Sequence, residues 1–359
     1  MNRLLTLCSK LKGIMHEVSV INPLEIENWN NLLASTPGYS FFHTAHWSDV
    51  LIKSYRYTPL YLCTRSNDSF IRLMPLMEVS SPLTGKRGVC LPFTDACEPV
   101  SENSQDFRQL FDEAVALGRK RQWKYLEIRG GGKYLSAEKP SQIFTGHILD
   151  LSCGQQKLYS NLRDSTRRNI KKAQNEKVEV NISHELKAVK EFYRLNTLTR
   201  KTHGLPPQPY KFFQHLYDRV ISQNMGFVAF ATFHGQTVAA NVYLHFGDEV
   251  IYKYGASDKA HQQLRASNLV MWEAIRYSCE KKIQTLSFGR TEQENEGLMQ
   301  FKAGWGVQSY PIYYYRYDLQ KNAFISDASG INPLFNKVFS KMPLPVLEIL
   351  GRIFYRHMG

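Results

Sequence analysis

A chain of 359 residues and 41.5 kDa, 43% hydrophobic and 13% aromatic, can bury a full core and is long enough for two ordinary domains, which excludes a disordered or fibrous protein. A formal charge of +13 and a pI near 9.3 favour contact with something anionic: a nucleic acid, a phosphorylated substrate or cofactor, or an acidic membrane surface. Charge alone does not choose among them.

In chain order, the start MNRLLTLCSKLKGIMHE carries an apolar run broken by Lys10 and Lys12, too short for a secretory core. It reads as a small amphipathic extension or as the product of an early start, with Met15 the other candidate. No stretch approaches a membrane span, and the expectation is a soluble, cytoplasmic protein. PLYLCTR, FIRLMPLMEV and GVCLPF alternate as strands do, DFRQLFDEAVALGRKRQ has helical spacing, and YLEIRGG closes the unit as a strand. SCGQQ interrupts the pattern and predicts a boundary between a domain over 1–150 and another over 151–325.

The second unit opens on QKLYSNLRDSTRRNIKKAQNE, with Leu158, Leu162, Ile170 and Ala173 on one helical face and Arg163, Arg167, Arg168, Lys171 and Lys172 mostly elsewhere. That cationic side is either a solvated surface or a site for an anionic group. HGLPPQPYKFF is stiffened by Pro206, Pro207 and Pro209 and predicts a rigid spacer or the wall of a site. MGFVAFATFHGQTVAANVYLHFGDEVIYKYGAS reads as a three-strand meander with turns at His234-Gly235 and Gly247-Asp248. The helix LVMWEAIRYSCEKK and the strand TLSFGR follow. Both halves share one grammar of strand, turn, helix and strand, so two mixed α/β domains are expected. The basic tail over 326–359 either caps a domain or lies at a membrane interface with its cations toward anionic lipid.

Ser267 or Asn268 can cap the helix after AHQQLR, and a helix start with Arg265 beside it accepts an anion. The stretch SFGRTEQENEGLMQFKAGWG, Ser287 to Gly306, holds more kinds of polar group than a connection needs. Cys8, Cys63, Cys90, Cys97, Cys153 and Cys279 are scattered without zinc spacing, and no metal is expected. His43, His46 and Trp47 form an H-x-x-H pattern that is either packing at a helix start or, with Thr94 and Asp95, an acceptor cleft. No G-x-S-x-G elbow points to a serine hydrolase.

YKYGASD, ASNLVMWEAI, FGRTEQENEGLMQFKAGWG and YYYRY resemble the second acyltransferase domain of FemAB-like proteins, within the GNAT superfamily. FFHTAHWSDVL, LMPLMEV, LPFTDACEPV, TRRNIKKA, TRKTHGLPPQP and MPLPVLEILG resemble the remainder of the subgroup associated with exosortase and exopolysaccharide systems. The likeness runs from about Ser40 to the end and lies in the order of the motifs. It implies an α/β (α+β) fold of tandem GNAT-like domains, each a mixed central sheet flanked by helices, the first a degenerate copy. It implies transfer of an acyl group to an amine or hydroxyl of an exopolysaccharide or cell-envelope precursor. Acyl-coenzyme A is then the co-substrate, with no tightly bound cofactor, and a sugar or lipid-linked precursor the partner, near the inner membrane face. DNA is not a partner.

Two departures keep the donor open. The Gly-rich pyrophosphate signature of GNAT enzymes is replaced by AHQQLRAS, and the charged helical arm of transfer-RNA-dependent ligases is missing. An aminoacyl-transfer-RNA-dependent ligase and a non-catalytic carbohydrate- or lipid-binding scaffold are therefore the rivals. Acyl transfer needs a base, a hydrogen-bond donor for the developing oxyanion, and groups that fix both substrates. Asp258 and Glu294 are the candidate bases, Tyr254 the proton donor to the leaving group, and Arg265, Ser267, Asn268 and Arg290 the donor-binding set. Lys302, Trp305, Arg167, Arg168, His43, Trp47 and Asp95 are the candidate acceptor contacts. Each has a plainer role: Asp258 and Asn268 as caps, Arg290 paired to Glu292, Glu294 or Glu296, Trp305 in the core.

Overall fold

The computed structural model describes residues 17–66, 68–326 and 333–359. The N-terminal extension, with Cys8, lies outside them. The first half of the chain runs β1 (Ser19–Ile21), α1 (Trp29–Ala34), α2 (Ala45–Tyr55), β2 (Thr58–Pro59), β3 (Tyr61–Arg65), β4 (Phe70–Met74), β5 (Met77–Ser81), β6 (Gly85–Val89), α3 (Ser104–Lys120), β7 (Tyr125–Arg129) and β8 (Gln142–Asp150). The second runs α4 (Gln155–Asn161), α5 (Asp164–Asn175), β9 (Glu179–Ser183), α6 (Leu186–Thr202), α7 (Tyr210–Arg219), β10 (Gly226–Phe233), β11 (Gln236–Phe246), β12 (Glu249–Ser257), α8 (Ala266–Glu280), β13 (Thr285–Glu292), α9 (Glu296–Ala303), β14 (Gln308–Asp318) and β15 (Ala323–Ile325). The basic tail forms α10 (Pro333–Lys341) and α11 (Leu344–Phe354).

One large mixed sheet joins both halves in the order β2-β5-β6-β7-β14-β8-β13-β12-β11-β10-β9, with β15 beside β14 and a separate β1-β3-β4 sheet. Only two neighbouring pairs among its described strands are parallel: β6 with β7, and β12 with β13. Each parallel pair is linked by one helix, α3 in the first half and α8 in the second. The repeat of architecture expected from the sequence is thus a repeated β-α-β crossover, the connection that parallel neighbours require. β8 ends the first half in sequence yet pairs with β13 and β14 from the second, so the sheet runs unbroken through Asp150.

Burial on both faces explains why β11 reads as a nearly continuous apolar run. Ala240, Val242 and Leu244 join the core shared with the first half and with α6 and α7, while Val238, Ala239 and Tyr243 join the core under α4, α5 and α8. The β10–β11 turn falls at His234 and Gly235, both at positive φ (48° and 76°), as a tight two-residue hairpin requires. The proline-stiffened segment is an internal joint: Gln208 is buried and donates to the Tyr55 hydroxyl (3.0 Å), and Phe212 packs edge-on against Trp47 (6.1 Å).

Candidate active site

β12 and β13 pair over only three positions, Glu249–Ile251 against Thr285–Ser287, and then separate. The parting is helped by a register shift of β13 against β8 between Ser287 and Arg290, with Gly289 at φ +67°. The loop after β6 enters this opening, carried through two residues in the left-handed region, Leu91 (φ 52°) and Phe93 (φ 61°). Such backbone persists where surrounding structure holds it. Thr94 Oγ1 donates to the Leu91 carbonyl (2.7 Å), and the Tyr314 hydroxyl lies 2.8 Å from the Asp95 carbonyl. A Cβ on residue 289 would stand 3.1 Å from Asp95 Oδ2, so the glycine admits the carboxylate as well as the turn.

Asp95 sits beside a group of three cations and pairs directly with one of them. Lys253 Nζ lies 3.0 Å from Asp95 Oδ2 with a side chain only 6% exposed, above the rings of Phe42 (5.1 Å) and Tyr254 (5.5 Å). Burial lowers the Lys253 pKa and Asp95 opposes that shift. Lys302 is 2% exposed and donates to the carbonyls of Arg290 (2.9 Å) and Gly289 (3.3 Å), leaving one N–H of its ammonium uncommitted. Burial pushes its pKa down to about 8, with Lys253 and Arg290 adding to the effect and Asp95 and Glu292 opposing it. The Arg290 guanidinium stacks over Phe144 (4.0 Å) and Tyr314 (5.1 Å), with Glu292 at 4.0 Å. The half-buried Asp95 and the exposed Glu292 face three cations, which leaves positive charge uncompensated. That arrangement is costly at rest and favours any group that gains negative charge there.

Asp95 also faces a cleft of about 360 Å³ between the two halves. Its lining holds four carboxylates, Asp95, Glu98, Asp248 and Glu249, with Tyr39 and Tyr310 and no lysine or arginine among the described residues. In a chain of charge +13 this is a local reversal of sign. Burial pushes the Glu249 carboxyl up to about 7, and no hydrogen bond or ion pair among the described residues offsets it. Burial also raises Glu98, although its Oε2 accepts from the Gly131 N–H (2.5 Å). His43 lines the cleft but is 0% exposed. Its Nδ1 accepts from the Ser40 N–H (3.1 Å), so Nε2 carries the proton toward the Glu98 carbonyl (3.0 Å), and burial holds its pKa near 4. It positions the Glu98 loop as a neutral ring.

Of the residues expected from the sequence, Asp95, Arg290 and Lys302 come together. Lys253, 158 positions from Asp95, was missed, although a lysine between Tyr252 and Tyr254 in a strand buried on both faces is itself a signal. Glu249 was missed because its environment is made by the other half.

Most of the other expected residues lie outside this constellation. Asp258 caps the 3-10 turn Lys259–Leu264, accepting from the Ala260 N–H (2.9 Å) and lying 3.1 Å from His261, and it lines a different hollow with Lys201 and Ser340. Glu294 sits exposed in the turn before α9. Burial raises Tyr254 among Phe192, Phe212 and Phe213, far above the range of a proton donor. α8 starts at Ala266 after Arg265, which is left-handed (φ 57°) and gives no side-chain cap, so neither Ser267 nor Asn268 is the capping residue. Trp305 is 1% exposed between Phe288 and Phe301, and Trp47 is 0% exposed against Phe42, so neither offers a face to a sugar. Arg167 is spent on Asp164 and the Ser160 carbonyl, and Arg168 is exposed on α5 away from the cleft lining. Among the described residues no cluster of His, Cys, Asp and Glu could hold a metal.

Residues 160–303 match the family model described as an acetyltransferase (GNAT) domain. That match lies within the second half of the chain. The matched stretch holds β12, α8, β13 and Lys302. Among solved structures, FemX is 14% identical with a TM-score of 0.68, covering 85% of this chain and 98% of its own. L-PGS from Bacillus licheniformis is 12% identical with a TM-score of 0.52, covering 90% and 97%. A tandem GNAT protein from the clavulanic acid biosynthesis pathway is 13% identical with a TM-score of 0.50, covering 84% and 98%. At these identities the likeness shows the fold, a tandem GNAT-like one with a large mixed sheet flanked by helices. No curated protein matches the sequence.

Proposed function

We propose that the protein is an acyltransferase that moves an acyl group from an activated donor to an amine on an acceptor held in the acidic cleft. The observation that carries this reading is the position of Asp95, which belongs both to the cleft and to the buried cations where β12 and β13 part. An ammonium group complements the four carboxylates. The ammonium first gives one proton to a cleft carboxylate, which frees its lone pair; as the neutral amine attacks the donor carbonyl, the nitrogen gives up a second proton toward Asp95, and the carbonyl oxygen becomes an oxyanion. The uncommitted Lys302 N–H and the potential of Lys253 and Arg290 favour that oxyanion. Collapse re-forms the carbonyl and expels the thiolate or alkoxide of the donor, which takes a proton from the Lys302 ammonium; the lysine then regains one from solvent.

The leading donor is an acyl-coenzyme A thioester. It is supported by the match to an acetyltransferase (GNAT) domain and by the fold shared with a tandem GNAT protein whose structure was determined without AcCoA. The acceptor is read as an exopolysaccharide or cell-envelope precursor on the sequence resemblance alone. Aminoacyl transfer from transfer RNA is the second reading. It is favoured by the segment before α8, which folds as a 3-10 turn with Leu264 buried rather than as a glycine-rich phosphate loop, and by the net charge.

A thermal-shift screen against acetyl- and longer acyl-coenzyme A, and charged and uncharged transfer RNA, at two salt concentrations separates them. A ligand at a hundredfold excess over its Kd stabilises the folded state by about 2.7 kcal/mol. Stabilisation by a thioester supports the leading reading, and stabilisation by charged transfer RNA with strong salt dependence supports the second. Silence from both leaves a non-catalytic binding scaffold.

A further inference from the structure

The tail is docked by one face and apolar on the other. α11 turns Leu347 (0% exposed), Gly351 and Tyr355 inward. A Cβ on residue 351 would fall 2.0 Å from the Pro207 carbonyl oxygen, and the Tyr355 hydroxyl accepts from Arg200 (2.9 Å), so the rotation of the helix is fixed. With that face inward, Val346, Ile349 and Ile353, spaced i, i+3 and i+7, form one outward stripe. Val338 on α10 is exposed as well, and five of the ten large apolar residues exposed among the described residues lie between Val338 and Met358. A solvated helix would carry polar residues there.

The charge around the stripe has one sign. Lys337, Lys341, Arg352 and Arg356 are exposed, and none is in an ion pair among the described residues. Arg352 and Arg356, exposed and four positions apart, run along one edge of the apolar stripe, and the carboxylate of α11, Glu348, is turned to the Tyr193 hydroxyl (3.4 Å). No helix among the described residues is long and apolar enough to cross a membrane.

We propose that the α10–α11 tail is a membrane-surface anchor, laying the Val346-Ile349-Ile353 stripe into the headgroup boundary of an anionic bilayer while its lysines and arginines meet lipid phosphates. The charge complementarity selects anionic lipid over a protein partner: an apolar stripe edged by long cationic side chains lets those side chains snorkel to phosphates. The anchor stands on surface residues alone and is independent of the reaction assigned to the cleft.

The test is co-sedimentation of the full chain with vesicles of phosphatidylcholine alone or mixed with phosphatidylglycerol. The expected result is binding to the mixed vesicles that weakens with salt. In the variant Val346→Ser/Ile349→Ser/Ile353→Ser, which alters exposed positions only, binding should fall by about tenfold or more. In Arg352→Gln/Arg356→Gln it should fall with a shallower salt dependence. Circular dichroism and melting of both variants check that the fold is kept. No binding of the wild type to the mixed vesicles, or triple-variant binding equal to wild type, overturns the proposal. So does a wild-type dimer in sedimentation velocity that the triple variant abolishes, because the stripe would then be covered by a second copy of the chain.

Discussion

Replacing Glu249 by Gln should stabilise the protein at alkaline pH and leave it unchanged in acid. The carboxyl is raised from 4.5 to about 7 by burial in the cleft, with no donor to offset the loss of water. Because the folded value lies above the unfolded one, the folded state holds more protons between those limits, and stability falls as pH rises through them. At 1.36 kcal/mol per pH unit the full penalty above pH 7 is about 3.4 kcal/mol. The side chain is half-buried and partly wetted by the open cleft, which discounts the figure to about 1–2 kcal/mol. An amide of the same shape carries no such penalty. With an unfolding entropy of about 2.1 cal/mol/K per residue, the Gln variant should melt roughly 1.5–3 °C above wild type at pH 8 and together with it at pH 4. Scanning calorimetry at pH 4, 6 and 8 reads this directly. A difference that does not change with pH, or a variant less stable at pH 8, would refute the account of the cleft as a desolvated acidic site awaiting a cation.

Two further substitutions separate structural from chemical roles. Asp258→Ala removes a capping oxygen and should cost about 1 kcal/mol in urea denaturation while leaving the transfer rate unchanged; a large loss of turnover at unaltered stability would restore Asp258 as the base. Gly289→Ala forces a left-handed alanine at a cost of about 1–2 kcal/mol and pushes its Cβ toward Asp95, so turnover should fall far more than the melting temperature does.

The repeated crossover was legible because its signals are local: alternating strands, one amphipathic helix and a His-Gly turn. Lys302 and Arg290 were legible because they sit within thirteen positions of each other in an unusually polar stretch. That stretch was expected as a loop, yet it contains α9, whose cap Asn295 accepts from the Leu298 N–H (3.1 Å). The Asp95–Lys253 pair was not legible, since only the joining of the two halves across one sheet brings those residues together. The same long-range packing covers Trp47 and Trp305, for which the sequence left a packing role beside an acceptor contact. The expected cap of α8 failed for a backbone reason: Arg265 in the left-handed region is the residue before the helix, two positions ahead of Ser267.

Transfer itself tests the assignment of Lys302 most directly. Release of thiol from an acyl-coenzyme A donor, or deacylation of charged transfer RNA, is followed with a panel of amine acceptors across pH for wild type and Lys302→Met. If Lys302 acts as the buried cation for the oxyanion, wild-type turnover falls as pH rises past about 8, where the lysine loses its proton. The variant then loses about 10²–10³-fold in turnover while still binding donor. A variant that turns over at the wild-type rate, with the same pH profile, would contradict an acyl-transfer site at the parting of β12 and β13.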